Sequence, residues 1–231
     1  MTAPCLVTAL DVPSAAQALA LAEKLAGLPL WLKVGLELFT AEGPDLVKTL
    51  LDRGFPLFLD LKFHDIPPTV RGAARAAARL GAGMISVHLE GGEAMAKAAL
   101  QGRAEALSAG PGPLILGVTV LTSLAETESG LIGNLVLQRA IQARSWGLDG
   151  VVCSGLEAAA VKAACGGEFI CLCPGIRFEG ETAGADQARV VTPGEAASAG
   201  ADFLVLGRPV TLAADPAAAA RRALTEIRIK K

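Results

Sequence analysis

The chain has 231 residues and a net charge of −2; 52% of its residues are hydrophobic and only 4% are aromatic. This length is enough for one large domain or two small ones, and the apolar content excludes a disordered chain. A charge so near zero provides no global field toward DNA or an anionic membrane, so we expect neither nucleic acid nor membrane as a partner. Since no apolar stretch approaches ~18 residues, no membrane span is expected.

The N-terminus and the cysteines both favour a cytoplasmic protein. Residues 1–5 lack the basic segment and the apolar core of a signal peptide. The five cysteines are an odd number, and four of them lie in or beside apolar runs, which is typical of buried, reduced thiols. Cys171 and Cys173 lie two residues apart, but with no second pair or nearby histidine they are weak metal ligands. We therefore expect no metal site.

Eight apolar runs alternate with eight segments of helical spacing. The runs cover residues 6–10, 31–36, 55–63, 84–89, 114–121, 150–153, 169–173 and 203–206. The helical segments cover about 14–26, 42–53, 67–80, 92–108, 134–147, 156–164, 193–199 and 215–228. This alternation predicts an α/β fold, a single-domain (β/α)₈ TIM barrel over residues 1–231, with a long loop at 122–133. A doubly wound open sheet is the structural alternative.

Side-chain alternation along the predicted strands brings charges to the inside of the barrel. Successive residues of a strand point to opposite faces, so Asp60 and Lys62 share one face of the third strand. In each of the first four strands a uniformly bulky face should meet the helices, and the mixed face should line the interior. The inner residues near the carboxyl ends are then Asp11, Lys33, Asp60, Lys62 and His88. Active sites of this fold lie at that end.

Four of the charged residues are expected to form a chain of alternating sign: Lys33, Asp60, Lys62 and Asp65. Opposite neighbours would keep all four ionised inside the barrel. A purely structural salt-bridge network is the alternative. Asp65 precedes Ile66-Pro67-Pro68 and is also a candidate N-cap of the third helix.

Other polar residues also have structural alternatives. Thr69 is consistent with an ordinary residue of the first helical turn, and His88 with a hydrogen-bonded core histidine. Thr122 and Ser123 follow the fifth run, where their hydroxyls would either face a polar ring or cap the turn.

A second cluster follows the last two strands. Arg177 comes after Pro174-Gly175, and Gly207 and Arg208 come directly after the eighth run. Glycine allows backbone N–H groups to approach an anion and arginine adds a planar two-pronged donor, so these loops predict a phosphate site. Gln187 adds an amide donor. Exposed loop arginines are the alternative.

The run Asp60-Leu61-Lys62-Phe63-His64-Asp65-Ile66-Pro67-Pro68-Thr69 resembles the signature of the orotidine 5′-phosphate decarboxylase family. Further matching motifs follow in the family's order, from residue 6 to about 225: Ala9-Leu10-Asp11, Lys33-Val34-Gly35, Val87-His88, Gly91-Gly92, Val120-Leu121-Thr122-Ser123, Pro174-Gly175-Ile176-Arg177, Asp186-Gln187, Arg189-Val190-Val191-Thr192-Pro193 and Gly207-Arg208-Pro209. Pro68 departs from the asparagine of many members but removes no catalytic group.

This resemblance implies a cofactor-free decarboxylation of orotidine 5′-phosphate to UMP and CO₂, the last step of de novo pyrimidine synthesis. It implies that Lys62 donates the proton to C6 and that Asp60 lies beside the substrate carboxylate. Lys33 would hold both residues in place and would contact the ribose together with Asp11.

The resemblance also implies a homodimer with shared active sites, to which the partner subunit contributes Asp65 and Thr69. The pyrimidine would face Thr122 and Ser123. The phosphate and loop contacts would come from four residues: Arg177, Gln187, Gly207 and Arg208.

Two other functions are compatible with parts of the pattern. A Mg²⁺-dependent sugar-phosphate decarboxylase or aldolase of the same superfamily would share the Asp-x-Lys-x-x-Asp core, although residues 66–69 and 122–123 suit a nucleotide better. A catalytically silent phosphate-binding barrel would bind UMP without turning over the substrate. Activity in EDTA discriminates against the metal-dependent alternative.

Overall fold

The computed structural model describes residues 4–106, 112–121, 131–180 and 190–228. Within these ranges the chain forms eight parallel strands that close into one barrel in sequence order. The strands are β1 (Cys5–Ala9), β2 (Leu30–Gly35), β3 (Leu57–Phe63), β4 (Met84–His88), β5 (Leu114–Val118), β6 (Gly150–Val152), β7 (Ile170–Cys173) and β8 (Phe203–Leu206). Because β1 pairs with β8, the predicted TIM barrel is confirmed and the open-sheet alternative is wrong.

Helices follow the strands around the outside of the barrel. They are α1 (Ala15–Lys24), α2 (Leu36–Asp52), α3 (Pro67–Leu80), α4 (Gly92–Ala106), α5 (Leu131–Ser145), α6 (Ala158–Cys165), α7 (Pro193–Ser198), α8 (Arg208–Thr211) and α9 (Pro216–Arg228), and a 3₁₀ turn covers Leu89–Gly91. No helix in the described part of the chain is long and apolar enough to cross a membrane.

Three helices differ from the sequence prediction. One is α5, which begins at Leu131, inside the predicted loop at 122–133; residues 122–130 of that loop lie outside the described residues. The segment predicted at 42–53 belongs to α2, which begins earlier, at Leu36, and is interrupted at Gly43, where φ is 66°. Pro44 then lies in the first turn of the second segment, where its missing N–H is tolerated. The four-residue α8 is too short to leave a helical period in the sequence.

The barrel interior is packed as the strand alternation predicted. Its cluster of buried apolar residues consists of Val7, Ala9, Phe58, Met84, Leu116, Leu172, Phe203 and Val205. The alternate residues, such as Leu6 and Leu32, pack against the helices. The rings of Trp31 and Phe203 meet edge to face, with centroids 5.5 Å apart. A filled interior restricts any ligand site to the mouth of the barrel.

The cysteines lie where the sequence placed them. Cys153, Cys165, Cys171 and Cys173 are buried, Cys5 is half-buried, and all five are free thiols. A hydrogen bond to Cys153 and burial raise the pKa of the Cys171 thiol. The Cys171 thiol is therefore uncharged at neutral pH, which suits a structural role in the core.

Candidate active site

A cavity of about 430 Å³ opens at the carboxyl ends of the strands. The charged residues of its lining are Asp11, Lys33, Asp60, Lys62, Arg177 and Arg208, and Gly207 also lines the cavity. The sequence placed all of these residues at the mouth, whereas His88, which was also placed there, is not part of the lining. Its apolar lining includes Phe58, Leu172 and Val205 from the packed interior. One cavity therefore contains both the charged strand ends and the two predicted anion-binding loops.

The charges at the mouth form a chain of alternating sign. The Lys62 Nζ lies 2.8 Å from Asp60 Oδ2, and the Lys33 Nζ lies 3.6 Å from the same oxygen. Lys33 also contacts Asp11, with Nζ 3.0 Å from Oδ1. The chain thus runs Asp11, Lys33, Asp60, Lys62. The sequence predicted that Asp65 would extend this chain beyond Lys62. Within one chain Asp65 is not part of the cavity lining, and Asp11 instead extends the chain of charges at the Lys33 end.

Asp60 is the buried centre of this chain, with only 8% of its surface exposed. Burial alone raises its pKa, but the neighbouring Lys33 and Lys62 outweigh that effect, so the pKa of Asp60 lies below its ordinary value. The carboxylate is therefore ionised at neutral pH. Because its pKa is lower in the folded chain, its contribution to stability is present above the ordinary pKa and is lost as the pH falls through the lowered value.

Ser86 on β4 holds both halves of the Asp60–Lys62 pair. Its hydroxyl donates to Asp60 Oδ1 at 2.7 Å and accepts the backbone N–H of Lys62 at 3.0 Å. We did not single out Ser86 from the sequence. Its position on the inner face of the fourth strand, two residues before His88, was the only signal.

The backbone of Lys62 lies in the left-handed region, with φ of 48°, and it is the only such non-glycine residue in the described ranges. The register between β3 and β4 shifts at this point: Leu59 pairs with Ile85, and Phe63 pairs with Val87. Two additional residues of β3 are accommodated there, and bulges of this kind redirect side chains. Strain of about 1–3 kcal/mol is typical of functional sites and requires support from the surroundings, which Ser86 supplies here.

Replacing Ser86 by alanine is expected to lower turnover about tenfold or more and the free energy of unfolding by about 1–3 kcal/mol. The variant leaves one oxygen of buried Asp60 and the N–H of Lys62 without their partner. Steady-state kinetics and urea denaturation measure the two effects. Ser145→Ala is the control, since that exposed hydroxyl only donates to the carbonyl of Gln142. Unchanged turnover in Ser86→Ala would contradict this role.

Asp65 and Thr69 do not line the cavity of their own chain. Both are exposed around the start of α3. The N-cap of α3 is Ile66, so the N-cap interpretation of Asp65 is wrong; its carboxylate accepts the backbone N–H of Ile66 at 2.6 Å instead. Exposure leaves both side chains accessible to a second molecule.

The two loops that the sequence predicts to bind an anion follow β7 and β8. Arg177 is only 9% exposed and donates to the carbonyl of Ile176 at 2.8 Å. Its backbone N–H donates to the carbonyl of Val191 at 3.0 Å. This hydrogen bond joins the two ends of the segment between Arg177 and Val191. Arg208 begins α8 directly after Gly207. The exposed-loop alternative is therefore wrong for Arg177.

Three predicted residues lie outside the described residues: Thr122, Ser123 and Gln187. His88 is described, and its ring stacks on His64 with centroids 5.2 Å apart. Its buried Nδ1 has no hydrogen-bond partner among the described residues.

A closed barrel with a buried carboxylate between two ammonium groups at its mouth defines a (β/α)₈-barrel enzyme. Residues 4–223 match the model of the Orotidine 5′-phosphate decarboxylase / HUMPS family. The chain belongs to this family.

Individual relatives agree over nearly the whole length. An orotidine 5′-phosphate decarboxylase of Nitratidesulfovibrio vulgaris (strain DP4) is 56% identical over 227 residues, which cover 96% of this chain and 97% of the relative. The orotidine 5′-phosphate decarboxylase of Moorella thermoacetica is 48% identical, and the matched region covers 98% of this chain and 93% of the relative. The crystal structure of orotidine 5′-phosphate decarboxylase from Lactobacillus acidophilus superposes with a TM-score of 0.85 at 36% identity, covering 98% of this chain and 100% of that one.

Proposed function

We propose that the chain catalyses the decarboxylation of orotidine 5′-phosphate to UMP and CO₂, the last step of de novo pyrimidine synthesis. The observation that carries the proposal is the Lys62 ammonium group, held 2.8 Å from the buried, ionised Asp60 at the barrel mouth. Relatives that carry the name of this activity, at up to 56% identity, support it. No finding favours the Mg²⁺-dependent alternative.

The chemistry requires a cation next to the reacting carbon. Loss of CO₂ leaves a carbanion at C6 of the pyrimidine, which has no electron sink. A fixed ammonium group stabilises that charge as it develops and then delivers a proton. Lys62 suits this role because Asp60, Ser86 and its own backbone conformation fix its position. Repulsion between Asp60 and the substrate carboxylate would disfavour the bound substrate and would be relieved when CO₂ leaves.

The remaining roles concern binding. We assign the ribose to Lys33 and Asp11, whose ion pair lines the cavity. We assign the phosphate to Arg177, Gly207 and Arg208, because glycine N–H groups and guanidinium groups are strong phosphate donors. Gln187 joins them, and Thr122 and Ser123 face the pyrimidine in this proposal.

The same proposal makes the enzyme a cytoplasmic homodimer in which Asp65 and Thr69 complete the site of the other subunit. Both residues are exposed beside Ile66, which is 65% exposed. Leu36, which follows β2, is 57% exposed. Apolar side chains of this size at the surface favour contact with another protein surface.

The loss of orotidine 5′-phosphate, followed by absorbance in the presence of EDTA, tests the proposed function. We expect full turnover in EDTA with UMP as the product. Absence of turnover by a folded enzyme would overturn the proposal in favour of a silent phosphate-binding barrel. Turnover that EDTA abolishes and Mg²⁺ restores would favour the metal-dependent alternative.

Arg208→Ala is expected to reduce kcat/KM by roughly tenfold to a hundredfold, because a charge-assisted hydrogen bond contributes about 1.5–3 kcal/mol. Binding of UMP should weaken similarly, whereas binding of uridine, which has no phosphate, should be unchanged. Isothermal titration with both ligands measures the difference. Arg221→Ala removes an exposed guanidinium group from α9 and is the control. An unchanged kcat/KM would mean that the phosphate binds elsewhere.

A further inference from the structure

The stacked rings of His64 and His88 connect the segment that follows β3 to the end of β4. Their centroids are 5.2 Å apart and their planes differ by 20°. His88 ends β4 and its side chain is only 16% exposed, whereas His64 is exposed and directly precedes Asp65. The stack is thus a contact between the barrel wall and the segment that presents Asp65.

An ion pair lies behind the buried ring. Glu90 Oε1 accepts from Arg139 of α5 at 2.9 Å, and Arg139 also donates to the carbonyl of Thr119. The other Glu90 oxygen, Oε2, lies 4.0 Å from the Nδ1 of His88, which is too far for a hydrogen bond. Arg139 therefore competes with His88 for Glu90, and the buried Nδ1 stays without a partner among the described residues.

We propose that His88, which lies next to the Glu90–Arg139 pair, is a positioning residue that holds His64 and thereby presents Asp65 to the active site of the partner subunit. This inference rests on the shared site of the proposed function. It assigns to the stack a role in the neighbouring subunit's reaction and none in the site of its own chain.

The stack requires an uncharged His88 ring. Burial lowers the pKa of His88; Glu90 opposes this effect, and the neighbouring His64, Arg139 and Lys62 lower the pKa further. The ring is therefore neutral at neutral pH. As the pH falls through the lowered pKa, the ring gains a proton: Nδ1 then competes with Arg139 for Glu90, and the cationic ring faces His64 and Lys62. Turnover should decline over that range in acid.

Subunit mixing separates this role from a general structural one. His88→Ala homodimers should turn over at least about tenfold more slowly than wild type. Mixed with Lys62→Ala chains, they form hybrid dimers in which one site combines the intact Lys62 of one chain with the intact His88 and Asp65 of the other. We expect the equimolar mixture to recover to about a quarter of the wild-type rate, because half of the dimers are hybrids with one complete site.

A mixture of Asp65→Ala chains with Lys62→Ala chains provides the reference for this recovery of activity. Recovery with Asp65→Ala but not with His88→Ala would overturn the inference about His88 alone. Recovery with neither, after confirmed subunit exchange, would instead refute the shared site of the proposed function.

Two variants keep the test decisive if His88→Ala does not fold. His88→Phe retains a flat ring that cannot be protonated, so its turnover should stay within about threefold of wild type at neutral pH and should lack the acidic decline. Glu90→Ala, at a carboxylate that is 53% exposed, should move the acidic decline of turnover to lower pH, because Glu90 opposes the lowering of the His88 pKa. Glu93→Ala removes an equally exposed carboxylate from the first turn of α4 and should have no effect. An acidic decline that persists unchanged in His88→Phe would contradict the role of the neutral ring.

Discussion

Lys62→Ala is expected to lower the turnover of orotidine 5′-phosphate by at least about a hundredfold, since proton transfer by a positioned group alone contributes roughly 10²–10⁴. The variant removes the ammonium group that lies 2.8 Å from Asp60, and no other cation of the described mouth contacts Asp60 as closely. Affinity for UMP should be nearly unchanged, because the product needs no proton. Single-turnover kinetics and UMP titration measure the two quantities.

The control for this variant is Lys48→Ala. Lys48 is an exposed lysine of α2 whose ammonium pairs with Asp45 at 3.0 Å, and it lies outside the cavity lining. Its loss should leave both kcat and UMP affinity unchanged. If Lys62→Ala keeps more than about a hundredth of the wild-type rate, the proton-donor role is wrong, because that role is worth several kcal/mol.

Mixtures of Asp65→Ala and Lys62→Ala chains are expected to regain about a quarter of the wild-type rate although each homodimer is nearly inactive. In a hybrid dimer one site carries both substitutions and the other carries neither, and random exchange makes half of the dimers hybrid. The physical basis is the exposure of Asp65, which lies outside the cavity lining of its own chain.

This experiment requires that subunits exchange between dimers. Exchange can be measured by mixing a tagged chain with an untagged chain and testing whether the two co-purify. Two Lys62→Ala preparations mixed in the same way are the control and should remain inactive. Failure to recover activity after confirmed exchange would place Asp65 outside the active site or confine it to the site of its own chain.

The sequence was sufficient for the charged strand ends. Alternation along β1 to β3 placed Asp11, Lys33, Asp60 and Lys62 on the inner face, and the carboxyl ends of parallel strands meet at one mouth, so their convergence follows from the fold alone. The order of the contacts did not follow, because it depends on side-chain reach. Asp11 contacts Lys33, a pairing that the sequence did not predict, and Asp65 does not extend the chain of charges within its own subunit.

The hydrophobic periodicity of the sequence could not predict the residues that support the charged site. The register shift between β3 and β4 brings Ser86 against both Asp60 and Lys62, and a sequence carries no signal for such a shift. The left-handed backbone conformation of Lys62 could not be predicted from the sequence either, because glycine or asparagine usually occupies that conformation and lysine rarely does. The His64–His88 stack joins the residue after β3 to the end of β4 and depends on the same local geometry.

The filled floor of the barrel determines how products depart. Phe58, Met84 and Leu116 occupy the interior, and Trp31 and Phe203 pack against each other in the same cluster. The described residues therefore provide no second exit toward the amino ends of the strands. The CO₂ that is released next to Lys62 therefore has to diffuse out past the nucleotide from which it was cleaved. Any inhibitor that plugs this opening would consequently trap both products at once.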